Sequence, residues 1–448
     1  MSDGDQPGLA LLREVLADGP PAWLVGGALR ERLRGRPTDD LDVAVGDGDA
    51  ARDGARALAR AGAGHAFPLS DAYGAWRAVG PALDGAPAWQ IDLTPLQGAD
   101  LAADLAARDL TVNAIAEPVA GGPLIDPFDG AGDLAAGRLR MVGPASFAAD
   151  PVRVLRLARF AAELGATVDP ATMAAARAAA PALAERPGER LLPELERVLL
   201  AGDWARGVAV ADESGALAAL LPAATGAEGR LRPAVAALLE ALLSGAATVP
   251  EAAADDRRAL AARAGDRERR IALGLAALVQ RAPDPGRALD PLRPSQRLRT
   301  AVTRIASGPA TLSAGRLAEL ARPPRLGEGP PPPETPDVAR DRAAYRALRP
   351  LADAAPEAVL VARTVVGAAA DERPWATLLE RALRWAAAPP RPPIRGDRLA
   401  QRLGIAPGPG LGALLHELTV AADAGRLAGE EQAVALARRW LGPATGDG

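Results

Sequence analysis

The chain contains no cysteine and no lysine, and it has only two histidines, His65 and His416. The first absence removes disulfides, thiolate nucleophiles, Cys-ligated zinc and iron–sulfur clusters. The scarcity of histidine excludes His-rich metal centres, and a Ser-His-Asp triad would have to use one of two isolated positions. Aromatic residues make up 3% of the chain, so base-stacking platforms of the interleaved aromatic type are not advertised. No apolar run approaches the roughly 18 to 20 residues of a membrane span, and the acidic opening MSDGDQPG lacks the basic and apolar regions of a secretory signal. The expectation is a cytoplasmic protein with no membrane partner.

What is present is a folded, multi-domain composition. The 448 residues are 49% hydrophobic and 24% charged, enough apolar material for two or more cores. All 52 basic residues are arginine and the net charge is −4, which neither demands nor forbids a nucleic-acid partner, because a local basic face matters more than the total. Heavy use of Ala, Gly, Pro and Arg reads as a GC-rich genome rather than as selection for arginine chemistry.

The first 145 residues mix strands with helices. Residues 21–26 (PAWLVG), 41–46 (LDVAVG), 75–80 (AWRAVG) and 88–94 (AWQIDLT) are short, rich in Val, Ile and Trp, and bounded by Gly or Pro, the pattern of strands in one sheet. Residues 8–18 and 49–63 carry apolar residues at helical spacing, the second with Asp47 and Asp49 as N-cap candidates. From about Asp150 onward helical periodicity takes over, as in 150–164 and 189–201. Proline-rich stretches at Arg322–Asp337 and Pro389–Pro393 favour extended spacers. The predicted organisation is a head (1–145), a helical neck (146–224), a helical body (225–388) and a helical tail (389–448).

Three features of the head carry chemistry. Gly26 and Gly27 follow the first strand and precede a helix, so backbone N–H groups can approach an anion such as a phosphate; a simple tight turn is the alternative. Asp40 and Asp42 stand at i and i+2 of the second strand and therefore project from one face. Two carboxylates about 4 Å apart repel by roughly 4 kcal/mol at an effective dielectric near 20, so the pair calls for a divalent cation, and oxygen ligands suit magnesium; a solvated acidic turn is the alternative. Asp92, inside the apolar strand WQIDLT, either faces the same site or lies on an exposed edge. His65, in the loop AGAGHAF, and His416, on the helix LGALLHEL, read as surface or boundary residues.

The order of these elements resembles the class II tRNA nucleotidyltransferase and bacterial poly(A) polymerase family, whose head is a DNA polymerase β-like palm. The resemblance is carried by LVGGALRERLRGRPTDDLDVAV, ARDLTVNAIA (107–116), IDPFDGAGDLAAGRLRMVG (125–143), ADPVRVLRLARFAAELG (149–165), GERLLPELERVL (188–199) and the tail from Gly396. It implies an α+β protein: a nucleotidyltransferase head with a mixed sheet, followed by all-α neck, body and tail. It also implies that Asp40 and Asp42 bind Mg2+ and that Asp92 takes the third catalytic carboxylate position. Gly26, Gly27 and Arg30 fall where the family holds the triphosphate, and Arg108, Asp109 and Asn113 match the motif that contacts the incoming ribose. Asp150 and Arg153 match the pair that reads the base edge, Arg190 and Glu194 the motif that positions this pair, and Arg156 and Arg159 join the nucleotide-binding set. Asp150 and Arg153, three apart in a segment of helical pattern, are predicted to share a face.

The chain departs from the family pattern at Glu31, Gln97, Ala107 and Ala149, where Asp, Arg, Arg and Glu are usual. Residues 225–388, where many relatives carry a histidine-rich HD phosphohydrolase domain, contain no histidine, so an HD-like body without its metal-binding histidines is expected. The implied activity is template-independent addition of CCA, or part of it, to the 3′ end of tRNA from CTP and ATP. Poly(A), CC-only or A-only addition are alternatives, and a catalytically silent RNA-binding protein is a further one. The mixed charge of the tail favours tRNA over a poly(A) acceptor.

Overall fold

A computed structural model describes residues 7–36, 38, 40–70, 74–81, 88–323, 335–366 and 375–441. The chain divides between Leu220 and Leu221 into two compact units.

The first unit is built on six strands: β1 (Ala22–Val25), β2 (Asp40–Val45), β3 (His65–Ser70), β4 (Ala75–Gly80), β5 (Trp89–Pro95) and β6 (Ala116–Pro118). Their order is β3-β4-β5-β2-β1-β6. Only β2 and β5 run parallel, and the other neighbours pair antiparallel, giving the mixed sheet expected. Strand alternation explains which face does what. Leu41, Val43 and Val45 of β2, with Trp89, Ile91 and Leu93 of β5, bury against the helices Pro7–Leu16 and Gly48–Ala61 through Leu9, Leu12, Ala51, Ala55 and Leu58. The intervening residues Asp40 and Asp42 of β2, and Gln90, Asp92 and Thr94 of β5, point to the opposite face and line a cleft. Asp47 caps the second of these helices by accepting from the Ala50 N–H, as its sequence position suggests, while Asp49 lies in the first turn.

Two strands escaped the sequence reading, β3 and the three-residue β6. His65 opens β3 rather than lying in a loop. This edge strand contains Pro68 and is largely exposed on both faces, so it carries no apolar alternation.

Past the sheet, the first unit is helical. The helix predicted over 189–201 is present as Gly188–Leu200, but the one predicted over 150–164 begins only at Arg153. Asp150 is extended, at φ −146° and ψ 97°, because the residue before a proline, here Pro151, is excluded from the helical region.

The second unit is built of helices, including Pro336–Leu348, Ala355–Val366 and Pro409–Asp423. Its last three helices, from Gly396, close around Leu399, Leu414, Leu418, Val434 and Ala437. Pro389–Pro393 is non-helical, as its prolines dictate, whereas most of the Arg322–Asp337 stretch lies outside the described residues. No described helix is long and apolar enough to cross a membrane.

Candidate active site

The cleft above β2 and β5 has a volume of about 960 Å3 and is lined by residues of the first unit from Val25 to Arg197. Its floor is set by the turn from β1 into the helix Gly26–Leu33. Gly26 adopts φ +65°, and a Cβ there would come within 3.0 Å of the Asp42 carboxylate, so glycine is required twice over. The Gly27 N–H donates to Asp42 Oδ2 at 3.1 Å. The glycine pair thus serves the acid directly.

Asp42 opens onto the cleft but sits deep in the protein mass. Burial, and then the charges of Asp92 and Asp40, push its carboxyl pKa up, against the opposing effects of Gly27 and Arg108. Neither Asp40 nor Asp42 forms an ion pair among the described residues. Asp92 is the register partner of Asp42 and reaches the same face, but its two oxygens are taken by Arg77 of β4, at 2.7 Å from Nε and 2.7 Å from Nη2. No three carboxylate or imidazole groups gather as a metal site among the described residues. The surplus negative charge on Asp40 and Asp42 is therefore the feature that fits a hard divalent cation with oxygen preference.

The neighbouring wall is a chain of hydrogen bonds. Arg30 Nη1 donates to Asn113 Oδ1 at 2.6 Å, Asn113 Nδ2 to Asp109 Oδ1 at 2.8 Å, and Arg156 Nε to Asp109 Oδ2 at 2.7 Å. Burial alone would raise the Asp109 pKa, but the Arg156 charge and the Asn113 and Leu110 N–H groups hold it down at about 2. Arg108 is clamped to Asp104 at 2.9 Å and to the Asn113 carbonyl at 3.1 Å. Around Phe160 the guanidiniums of Arg30, Arg156 and Arg159 stand 5.0, 5.5 and 4.2 Å from the ring centroid. Glu194 answers part of that charge, 3.2 Å from Arg159.

Asp150 and Arg153 both line the cleft, but not as one helical face. Asp150 is bound by Arg190 at 2.6 Å. The Arg153 guanidinium donates to the carbonyls of Ala107 at 2.7 Å, Arg108 at 3.3 Å and Ser146 at 3.2 Å, tying the neck to the loop that carries Arg108. The cleft thus collects every site residue anticipated from the sequence. It adds Arg77, Asp104 and Phe160, which the sequence did not single out.

Residues 89–140 match the family described as the poly A polymerase head domain, and residues 165–227 match the probable RNA and SrmB-binding site of polymerase A. The CC-adding tRNA nucleotidyltransferase of Geobacter sulfurreducens is 44% identical over 178 residues, which is 40% of this chain and 40% of that protein. Over these segments the chain is similar to the tRNA nucleotidyltransferase and poly(A) polymerase family. The A-adding tRNA nucleotidyltransferase of Deinococcus radiodurans is 41% identical over 210 residues, 45% of each chain. These matches span less than half of the relatives' own length. The fold extends further. The Thermotoga maritima CCA-adding enzyme complexed with tRNA matches with a TM-score of 0.65 at 21% identity, over 97% of this chain and 95% of that one. A CCA-adding enzyme complexed with ATP gives 0.69 at 22%, again over 97% and 95%.

Proposed function

We propose that this chain is a cytoplasmic nucleotidyltransferase that adds CCA, or part of it, to the 3′ end of tRNA from CTP and ATP. The observation that carries the reading is the unpaired carboxylate couple Asp40 and Asp42 beside the glycine turn, at the floor of a cleft walled by arginines. In the reaction the RNA 3′-oxygen forms a bond to the α-phosphorus of the incoming nucleotide, and the bond from that phosphorus to the bridging oxygen breaks to release pyrophosphate. Mg2+ bound by Asp40 and Asp42 would supply charge neutralisation and acidify the attacking hydroxyl. Arg30, with Gly26 and Gly27, is assigned to the triphosphate, where a guanidinium pairs well with phosphate oxygens. Arg108, Asp109 and Asn113 are assigned to the ribose, and their mutual hydrogen bonds hold that wall rigid before a ligand arrives. Asp150 and Arg153 are assigned to the base edge, oriented by Arg190 and by the head carbonyls respectively, with Arg156, Arg159 and Glu194 supporting them. The catalytic third carboxylate, Asp92, works in this reading through its pairing with Arg77. The matching division of labour is a head of 1–145, a neck of 146–224, a body of 225–388 and a tail of 389–448.

Partial addition is the second reading, favoured by the CC-adding and A-adding names of the Geobacter and Deinococcus relatives. One assay tests both. Purified protein with Mg2+ is given tRNA lacking CCA, tRNA ending in the first C and tRNA ending in CC, with CTP and ATP separately and together. Growth of all three ends in order supports CCA addition, and arrest after two cytidines or action only on the CC end supports the partial reading. Runs of adenosine on any RNA would instead indicate poly(A) synthesis, and no incorporation at all would leave an RNA-binding protein.

A further inference from the structure

Away from the cleft, one cluster in the second unit sets a hydrogen-bond donor against a donor. His416, on the helix Pro409–Asp423, is half-buried and meets the Tyr345 ring edge-on, with centroids 4.9 Å apart. Arg346 Nε donates to His416 Nε2 at 3.3 Å. That nitrogen is therefore the acceptor, and the neutral ring carries its proton on Nδ1. Nδ1 faces Arg349 Nη1 at 3.4 Å, and arginine has no acceptor to offer. Arg346 is committed elsewhere, to the carbonyls of Leu320 at 3.2 Å and Arg322 at 2.9 Å and to Glu417 at 2.9 Å. Arg349 is exposed and has no carboxylate partner among the described residues. Both groups open into a cavity of about 460 Å3 walled by Leu320, Pro350 and Ala413.

We propose that this cavity is a phosphate-binding site, in which one oxyanion bridges the Arg349 guanidinium and the Nδ1–H of His416. Such an anion gives both donors an acceptor and offsets a positive charge that no side chain answers. A tetrahedral phosphate suits the pair better than a carboxylate. It presents oxygens in several directions, so that one can meet the arginine fork while another accepts from the ring. The charged groups facing His416 are Arg342, Arg346 and Arg349, with Glu417 already held by Arg342 and Arg346. Burial, then these arginines, hold the His416 pKa down at about 4, so the ring is neutral at pH 7 and the tautomer argument applies. The inference is independent of the activity proposed for the cleft.

The two histidines make the test direct. Protein labelled with 13C in histidine gives two ring signals, His416 and the exposed His65, which serves as internal control. Titration with inorganic phosphate in a chloride buffer is expected to move the His416 signal saturably and to raise its pKa by about one unit, with His65 unmoved. Arg349→Gln should weaken phosphate binding about tenfold or more, and Arg349→Lys less, with unchanged thermal melting for both. A short RNA with a 5′-hydroxyl, which offers only phosphodiesters, separates the sources: competition with phosphate at His416 assigns the site to an RNA backbone, and a silent RNA assigns it to free phosphate. A His416 signal that ignores phosphate, or an Arg349→Gln variant that binds it as well as the parent, overturns the proposal.

Discussion

In the second unit Glu357 and Glu417, both sealed from solvent, each meet two arginines, whereas in the first unit Asp40 and Asp42 meet none. Glu417 lies 2.8 Å from Arg342 and 2.9 Å from Arg346, and Glu357 lies 2.9 Å from Arg263 and 3.7 Å from Arg269. The head follows the same rule where structure alone is at stake: Asp133 is held by Arg138 and Arg140, and Asp109 by Arg156. Buried charge is tolerable only when paired. Asp40 and Asp42, which open onto the cleft, have no such partner among the described residues, and the proposed reaction assigns them to the metal ion. Substitution of a paired buried acid should therefore cost stability in either unit, and substitution of Asp40 or Asp42 should cost activity.

The largest effect is expected where pairing is most complete. Glu417→Ala removes the carboxylate that neutralises Arg342, only 1% exposed, and should lower stability by about 3–5 kcal/mol in denaturant unfolding of the full chain. An unfolding curve that does not move would show that the pair contributes nothing net. The mirror experiment is Asp42→Asn. Nucleotide transfer should fall at least about a hundredfold, ~2.7 kcal/mol, while the melting temperature holds or rises because like-charge repulsion with Asp40 and Asp92 is relieved. Retention of more than about a tenth of the activity would end the assignment of the pair to catalysis.

Asp109 tests the rule inside the head by pH. Its folded pKa of about 2 lies below the ordinary 3.8, so its ionised form stabilises the fold. That contribution is complete above about pH 4 and is lost as the pH falls toward 2, worth about 2 kcal/mol in all. Asp109→Asn should flatten this limb of the stability–pH curve, and an unchanged slope would mean that Arg156 and Asn113 do not hold the acid.

How much of this was legible follows from where each signal resides. β1, β2, β4 and β5 announce themselves through Val, Ile and Trp runs bounded by glycine, and the Asp40–Asp42 spacing puts both acids on one face by strand geometry alone. β3 was hidden because an exposed edge strand containing Pro68 has no buried face to pattern. The expectation that Asp150 and Arg153 share a helical face failed on a local rule, since Pro151 forces Asp150 out of the helix. Arg77, in contrast, could be found only from tertiary register: it meets Asp92 because β4 and β5 pair with Arg77 opposite it, and one-dimensional spacing does not encode that pairing.

That register supplies the smallest predicted effect and the finest test of the contrast between paired and unpaired acids. Arg77 and Asp92 are 27% and 18% exposed at the side chain, so their ion pair should contribute no more than about 1 kcal/mol to stability. Its consequence for the site is larger in kind. Asp92 already pushes the Asp42 pKa up, and Arg77 partly cancels that charge by holding both Asp92 oxygens. In Arg77→Ala the Asp92 carboxylate loses its paired guanidinium, leaving Arg108 to act on Asp42, which raises the demand for a divalent ion. Affinity for Mn2+, read by water-proton relaxation on the protein alone, should rise about three- to tenfold, and the acid limb of the transfer rate against pH should move upward with it, since Asp42 becomes harder to ionise. Arg77→Lys, which keeps the charge but loses the two-pronged contact, should fall between parent and Arg77→Ala. If Mn2+ affinity stays the same in Arg77→Ala, Asp92 lies outside reach of the cation, and the metal site consists of Asp40 and Asp42 alone.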